Sequence, residues 1–135
     1  MTENLTGIWQ GLYSYPALLE PVGFTSTILE SGSWITGTIH ETAQDETGVW
    51  VDVLASIEGR REVDLIQFVK AYDGKNGWSH QVNYAGQLSR DGTEIEGRWY
   101  LPEWTGKFLM IRPEGVRAQQ MAQVFAKLPE LTHVR

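Results

Sequence analysis

Residues 7–15 read GIWQGLYSY and residues 96–112 read EGRWYLPEWTGKFLMIR, and the alternation within these stretches decides the fold. Successive side chains of a strand point to opposite faces. In the first stretch Gly7, Trp9, Gly11, Tyr13 and Tyr15 share one face, with Ile8, Gln10, Leu12 and Ser14 on the other. Glycines alternating with large rings relieve crowding where a narrow barrel closes, so the Trp9 face is the expected interior. Ile95, Gly97, Trp99 and Leu101 repeat the pattern around the second stretch, as do His80, Val82, Tyr84, Gly86 and Leu88 between the two.

Working outward, the breaks PALLEP, ESGS, QDETG, EGRRE, DGKNG and SRDG cut the chain at short intervals. Such punctuation marks an all-β domain. Strands are expected near 6–15, 22–30, 33–42, 49–58, 63–72, 79–88, 93–101 and 105–112. Nearly all the breaks are of hairpin size, so neighbouring strands should pair antiparallel in sequence order. That predicts an eight-stranded up-and-down barrel rather than a Greek-key sandwich. After Arg112 the period changes. Pro113 suits a first helical position, and Val116, Gln120, Met121, Val124, Phe125 and Leu128 recur at helical spacing before Pro129. The reading is one domain over 1–135, a barrel at about 6–112 and an amphipathic helix at about 113–128 that covers a flank or an end.

Composition bounds the function. Hydrophobic residues are 41% and charged residues 21% of 135, which is globular rather than disordered. A net charge of −6 with interspersed signs argues against nucleic acid, which requires a concentrated basic surface. The one dense basic spot, Arg60 and Arg61, is flanked by Glu58 and Glu62 and reads as a solvated turn. The chain has no cysteine, hence neither disulfides nor thiolate metal sites. No signal peptide or membrane span is expected, and the helix has no basic polar face for a membrane. A cytoplasmic protein is the expectation.

The expected interior is lined by aromatics with a few polar tips. Tyr13, Tyr15, Trp34, His80, Tyr84 and Trp99 are the candidate ligand-binding residues, with Thr36, Thr38 and His40 following Trp34 inward from the third strand. Eight strands enclose a space just wide enough to fill itself or to hold one small ligand. Apolar walls with a few polar groups suit a small-molecule pocket, and equally a filled core with satisfied hydroxyls. The opposite faces are not cleanly polar: Ile35 with Ile39, and Ile66 with Phe68, read as exterior, and DLIQFVKAY is apolar on both sides. Coverage by the helix accounts for one strand pair, and a homo-oligomer, a dimer, for the rest.

A Gly-x-Trp on the first strand, hairpin-linked strands and an arginine closing the last strand before a helix together resemble the calycin superfamily of lipocalins, fatty-acid-binding proteins and avidins. The lipocalin-like resemblance implies that Trp9 closes the barrel floor and that Arg112 packs across it, both as structural residues. The avidin-like resemblance extends to YAGQL at 84–88 and IEGRWYL at 95–101. In avidins small polar residues two and six places after the first tryptophan bind biotin. Gly11 and Tyr15 stand there, and KFLMIR lacks the expected aspartate, so the chain carries no recognisable biotin site.

Catalytic signatures are scarce. There is no Gly-x-Ser-x-Gly elbow and no His-Glu-x-x-His or comparable metal spacing. His40 and His80 fall on different strands, and Asp52, Glu58 and Asp64 lie on faces read as exterior. No catalytic residue, metal or cofactor is therefore expected. The expected function is lipocalin-like binding of a small apolar or aromatic ligand. The alternatives are a filled barrel that serves assembly, or an isomerase- or cyclase-like enzyme using polar tips in the same interior.

Overall fold

The computed structural model describes residues 4–15, 21–44, 46–75 and 79–112. Eight strands, β1 Gly7–Tyr13, β2 Val22–Ser31, β3 Trp34–Gln44, β4 Trp50–Glu62, β5 Leu65–Tyr72, β6 Gln81–Leu88, β7 Glu94–Tyr100 and β8 Thr105–Ile111, form one closed barrel in sequence order. Every pairing is antiparallel, and β1 joins β8 through Gln10 opposite Ile111 and Tyr13 opposite Phe108. The expected all-β, up-and-down barrel is the fold. The helix expected at 113–128 lies outside the described residues.

The glycine rule holds on β1. A side chain at Gly11 would enter the Phe24 ring, and Trp9, Gly11 and Tyr13 face inward. On β6 and β7, Val82, Tyr84, Leu88, Ile95 and Trp99 are buried as expected. The middle of the barrel is packed by rings. Phe68 stacks on Tyr84 at 4.8 Å between centroids, and Phe108 meets both edge-on.

Three expectations about facing are corrected. On β3 the inward residues are Ile35, Ile39 and Glu41, while Trp34, Thr36, Thr38 and His40 face out. The reason is Gly37, which shares the Ile35 face and sits so close to β2 that a side chain there would strike the Thr27 carbonyl. On β5, Ile66 and Phe68 are interior rather than exterior, and Lys70 follows them inward. The EGRRE stretch is not a turn: β4 runs through it and reverses only at Val63 and Asp64, burying Arg61 against Glu30 at 3.0 Å.

Candidate functional site

Up-and-down topology separates the barrel's ends chemically. One end, the floor, carries the segment before β1 and the β2–β3, β4–β5 and β6–β7 connections. There the Trp9 indole N–H donates to the Leu5 carbonyl at 2.9 Å, and the Leu5 N–H donates to Glu30 Oε1 at 2.7 Å. The Arg112 guanidinium lies over the Trp9 ring at 4.6 Å and donates to the carbonyls of Asn4 and Gly92 at 2.7 and 2.9 Å. The buried Trp9 ring, a buried ion pair and satisfied backbone groups make this end a seal.

The other end, the mouth, carries the β1–β2, β3–β4, β5–β6 and β7–β8 connections. Beneath it lies a buried polar cluster. Lys70 Nζ donates to Glu41 Oε1 at 3.0 Å, with both side chains at most 2% exposed. The Tyr72 hydroxyl donates to the same oxygen at 2.8 Å, and the Tyr13 hydroxyl donates to Oε2 at 2.7 Å. The Lys70 ammonium also sits 4.8, 5.8, 4.6 and 6.0 Å from the ring centroids of Tyr13, Phe24, Tyr72 and Tyr84. A carboxylate on one side and ring faces around it form a cage that fits a cation.

Burial governs the titration of this cluster. It pushes the Tyr13, Tyr72 and Tyr84 hydroxyls well above the usual phenol range, and the Glu41 charge adds to the effect. It lowers Lys70, because desolvation of the ammonium outweighs the attraction of Glu41. His80, tilted against Tyr72 at 4.7 Å, is lowered by partial burial and then by the charge of Lys70.

The residues singled out from sequence divide accordingly. Tyr13, Tyr84 and Trp99 are interior, and Tyr15 bridges Tyr13 and Trp99 edge-on at 5.8 and 5.5 Å. His80 is exposed at the rim. Trp34 does not join them: it stands on the outer wall near the floor, 59% exposed, with Arg60 stacked over it at 5.2 Å. Glu41, Lys70 and Tyr72 were not singled out, although they form the centre of the cluster.

Its chemistry is specific. Tyr13 and Tyr72 spend their single protons on Glu41, so towards a ligand their oxygens act as acceptors, whereas an ammonium carries three N–H donors and only one is directed to Glu41. The cluster's formal charges cancel. A groove of about 460 Å3 on the β4–β6 wall is lined by Glu58, Gln67, Asn83 and Tyr100 together with Phe68 and Tyr84. Among the described residues no group of three or more His, Asp or Glu is placed to hold a metal ion, and no helix is long and apolar enough to cross a membrane.

No protein-family profile matches the chain, and no curated protein matches it.

Proposed function

We propose that the barrel binds a small, largely apolar molecule that enters at the mouth and sets an uncharged polar end against the Lys70–Glu41–Tyr13–Tyr72 cluster. The observation that carries this reading is the ion pair itself. A barrel that needed only a core would be at least as stable with apolar residues in place of a desolvated Lys70 and Glu41. Perturbed titratable groups gathered under an aromatic rim are instead how a polar ligand end is oriented. Because the cluster is formally neutral, a ligand carboxylate or ammonium would bring an uncompensated charge into a desolvated site, so an alcohol, aldehyde, ketone or amide suits it better. A calycin-like relationship, lipocalin-like or avidin-like, is part of the same proposal. It is supported by the closed eight-stranded barrel and by Arg112 over Trp9. The proposed cytoplasmic setting requires a barrel whose wall faces water. An outer wall bearing Glu58, Arg60, Glu96, Arg98 and Lys107 is compatible with that, where a barrel in lipid carries an apolar band.

The test is native mass spectrometry of protein purified from its own host, followed by denaturation in the instrument. A released small molecule of constant mass supports binding. Protein without a released molecule that also fails to bind a panel of apolar alcohols and ketones overturns it.

A second reading, self-association as a dimer, has a different observation behind it. Ile8, Leu29 and Trp34 are 56–59% exposed, and strand register sets them diagonally along the outer wall of β1–β3. A concentration-independent monomer in sedimentation velocity would dispose of this reading.

A further inference from the structure

We propose that Lys70 captures its ligand covalently: the amine condenses with the carbonyl carbon of an apolar aldehyde or ketone, giving an imine held against Glu41. The inference rests on the ligand-binding reading above and names the class of that ligand.

Three features of the cluster serve this chemistry. The amine must shed a proton to become a nucleophile, and Glu41 Oε1 stands 3.0 Å from Nζ as the acceptor. Desolvation already moves Lys70 towards its neutral form. The product is also accommodated without rearranging charge. A protonated imine is a cation at the same nitrogen, so the carboxylate and the rings of Tyr13, Phe24, Tyr72 and Tyr84 hold it as they hold the ammonium.

The step balances. Lys70 gives a proton to Glu41, and its lone pair forms a C–N bond to the carbonyl carbon. The oxygen of the resulting carbinolamine takes protons from the nitrogen and from Glu41 and leaves as water. The nitrogen lone pair closes the C=N bond, leaving an iminium beside a carboxylate, and no oxidant or reductant is consumed. Tyr72 lies against both the ammonium and the exposed His80 ring, which places Lys70 one ring inward of the rim.

The experiment uses trans-cinnamaldehyde with sodium cyanoborohydride, followed by intact-mass analysis and peptide mapping of the full chain. Cinnamyl alcohol, which cannot form an imine, serves as the non-covalent probe, and its binding is read from tyrosine and tryptophan fluorescence. The expected result is one reduced adduct on Lys70, exceeding labelling of the exposed Lys75 and Lys107 by more than about tenfold, as for reactants held together in one site. Lys70→Met should abolish it in protein whose circular dichroism is unchanged, and the wild-type map decides the question if that variant does not fold. Alcohol binding with label confined to amines other than Lys70 would overturn covalent capture and leave the binding reading standing. Failure of both probes to engage the interior would overturn both.

Discussion

Glu41 and Lys70 lie on β3 and β5, strands that never pair because β4 runs between them, yet their charged atoms meet 3.0 Å apart inside the barrel. The contact therefore spans the interior rather than the ladder. It ties the chemistry of the mouth to barrel closure, since Tyr13 on β1 and Tyr72 on β5 bond the same carboxylate.

Removing one member of this pair leaves the other buried without its counter-charge. Glu41→Gln or Lys70→Met alone should cost about 3–5 kcal/mol. The double variant E41Q/K70M removes both charges and keeps an amide oxygen for one of the two hydroxyls and an amide N–H for the other to accept, so it should recover all but about 1–2 kcal/mol. Urea denaturation of the four proteins measures the coupling. Additive losses would mean that the charges do not sense each other.

At the floor, Trp9 is wholly buried and Arg112 both covers its ring and donates to two carbonyls. Trp9→Ala should cost about 3–5 kcal/mol as the loss of a large core ring, and Arg112→Ala about 1–3 kcal/mol from the cation–π contact and the lost hydrogen bonds. Trp104, half exposed in the β7–β8 connection, should tolerate Trp104→Ala within about 0.5 kcal/mol. Equal destabilisation by the two tryptophan changes would contradict the separation of the ends.

The barrel and its strand order were legible from the hairpin-sized breaks, and glycine-and-ring alternation fixes which face of β1, β6 and β7 turns inward. The Trp9–Arg112 floor, by contrast, was implied only by the calycin resemblance. The centre of the site was not legible, for a physical reason. On β3 both faces offer bulk, Trp34 on one and Ile35 with Ile39 on the other, and on β5 both faces are apolar, so hydrophobicity leaves the parity open. The deciding signal was present: Gly37 lies in phase with Ile35, Ile39 and Glu41, the same combination that marked the Trp9 face. Given that phase, Glu41 points inward, and its charge requires a buried partner. Lys70, in phase with Ile66 and Phe68, is the cation that β5 supplies.

Val63 adopts φ 57° at the first position of the two-residue β4–β5 turn, with its side chain 72% exposed. A β-branched residue is strained there, and glycine is the favoured occupant. The Val63 carbonyl, which accepts from Arg61 Nε at 2.8 Å, survives substitution. Val63→Gly should therefore raise stability by about 1 kcal/mol, read as a higher urea midpoint at unchanged slope. A loss of that size would mean that the turn is not strained in solution.

Alkaline behaviour follows from the tyrosines. Tyr13, Tyr72 and Tyr84 are raised by burial from an ordinary value of 10.0. The folded state thus keeps protons that the unfolded state releases above pH 10. Their contribution is fully present below that pH and is lost as pH rises towards the folded values, at about 1.4 kcal/mol per pH unit for each tyrosine. Lys70 has the opposite sign. Its folded value is lowered from 10.5, so its contribution is present above that pH and fades as pH falls through the folded value. Between that lowered value and pH 10 stability should therefore rise gently, and beyond it the three phenols should outweigh the single amine and open the barrel cooperatively. Tyrosinate absorbance reports this directly: of the five tyrosines, three should stay silent until the circular dichroism of the strands collapses, and then ionise together with it. Smooth ionisation of all five before any loss of strand signal would mean that water reaches the Glu41 cluster in the folded protein.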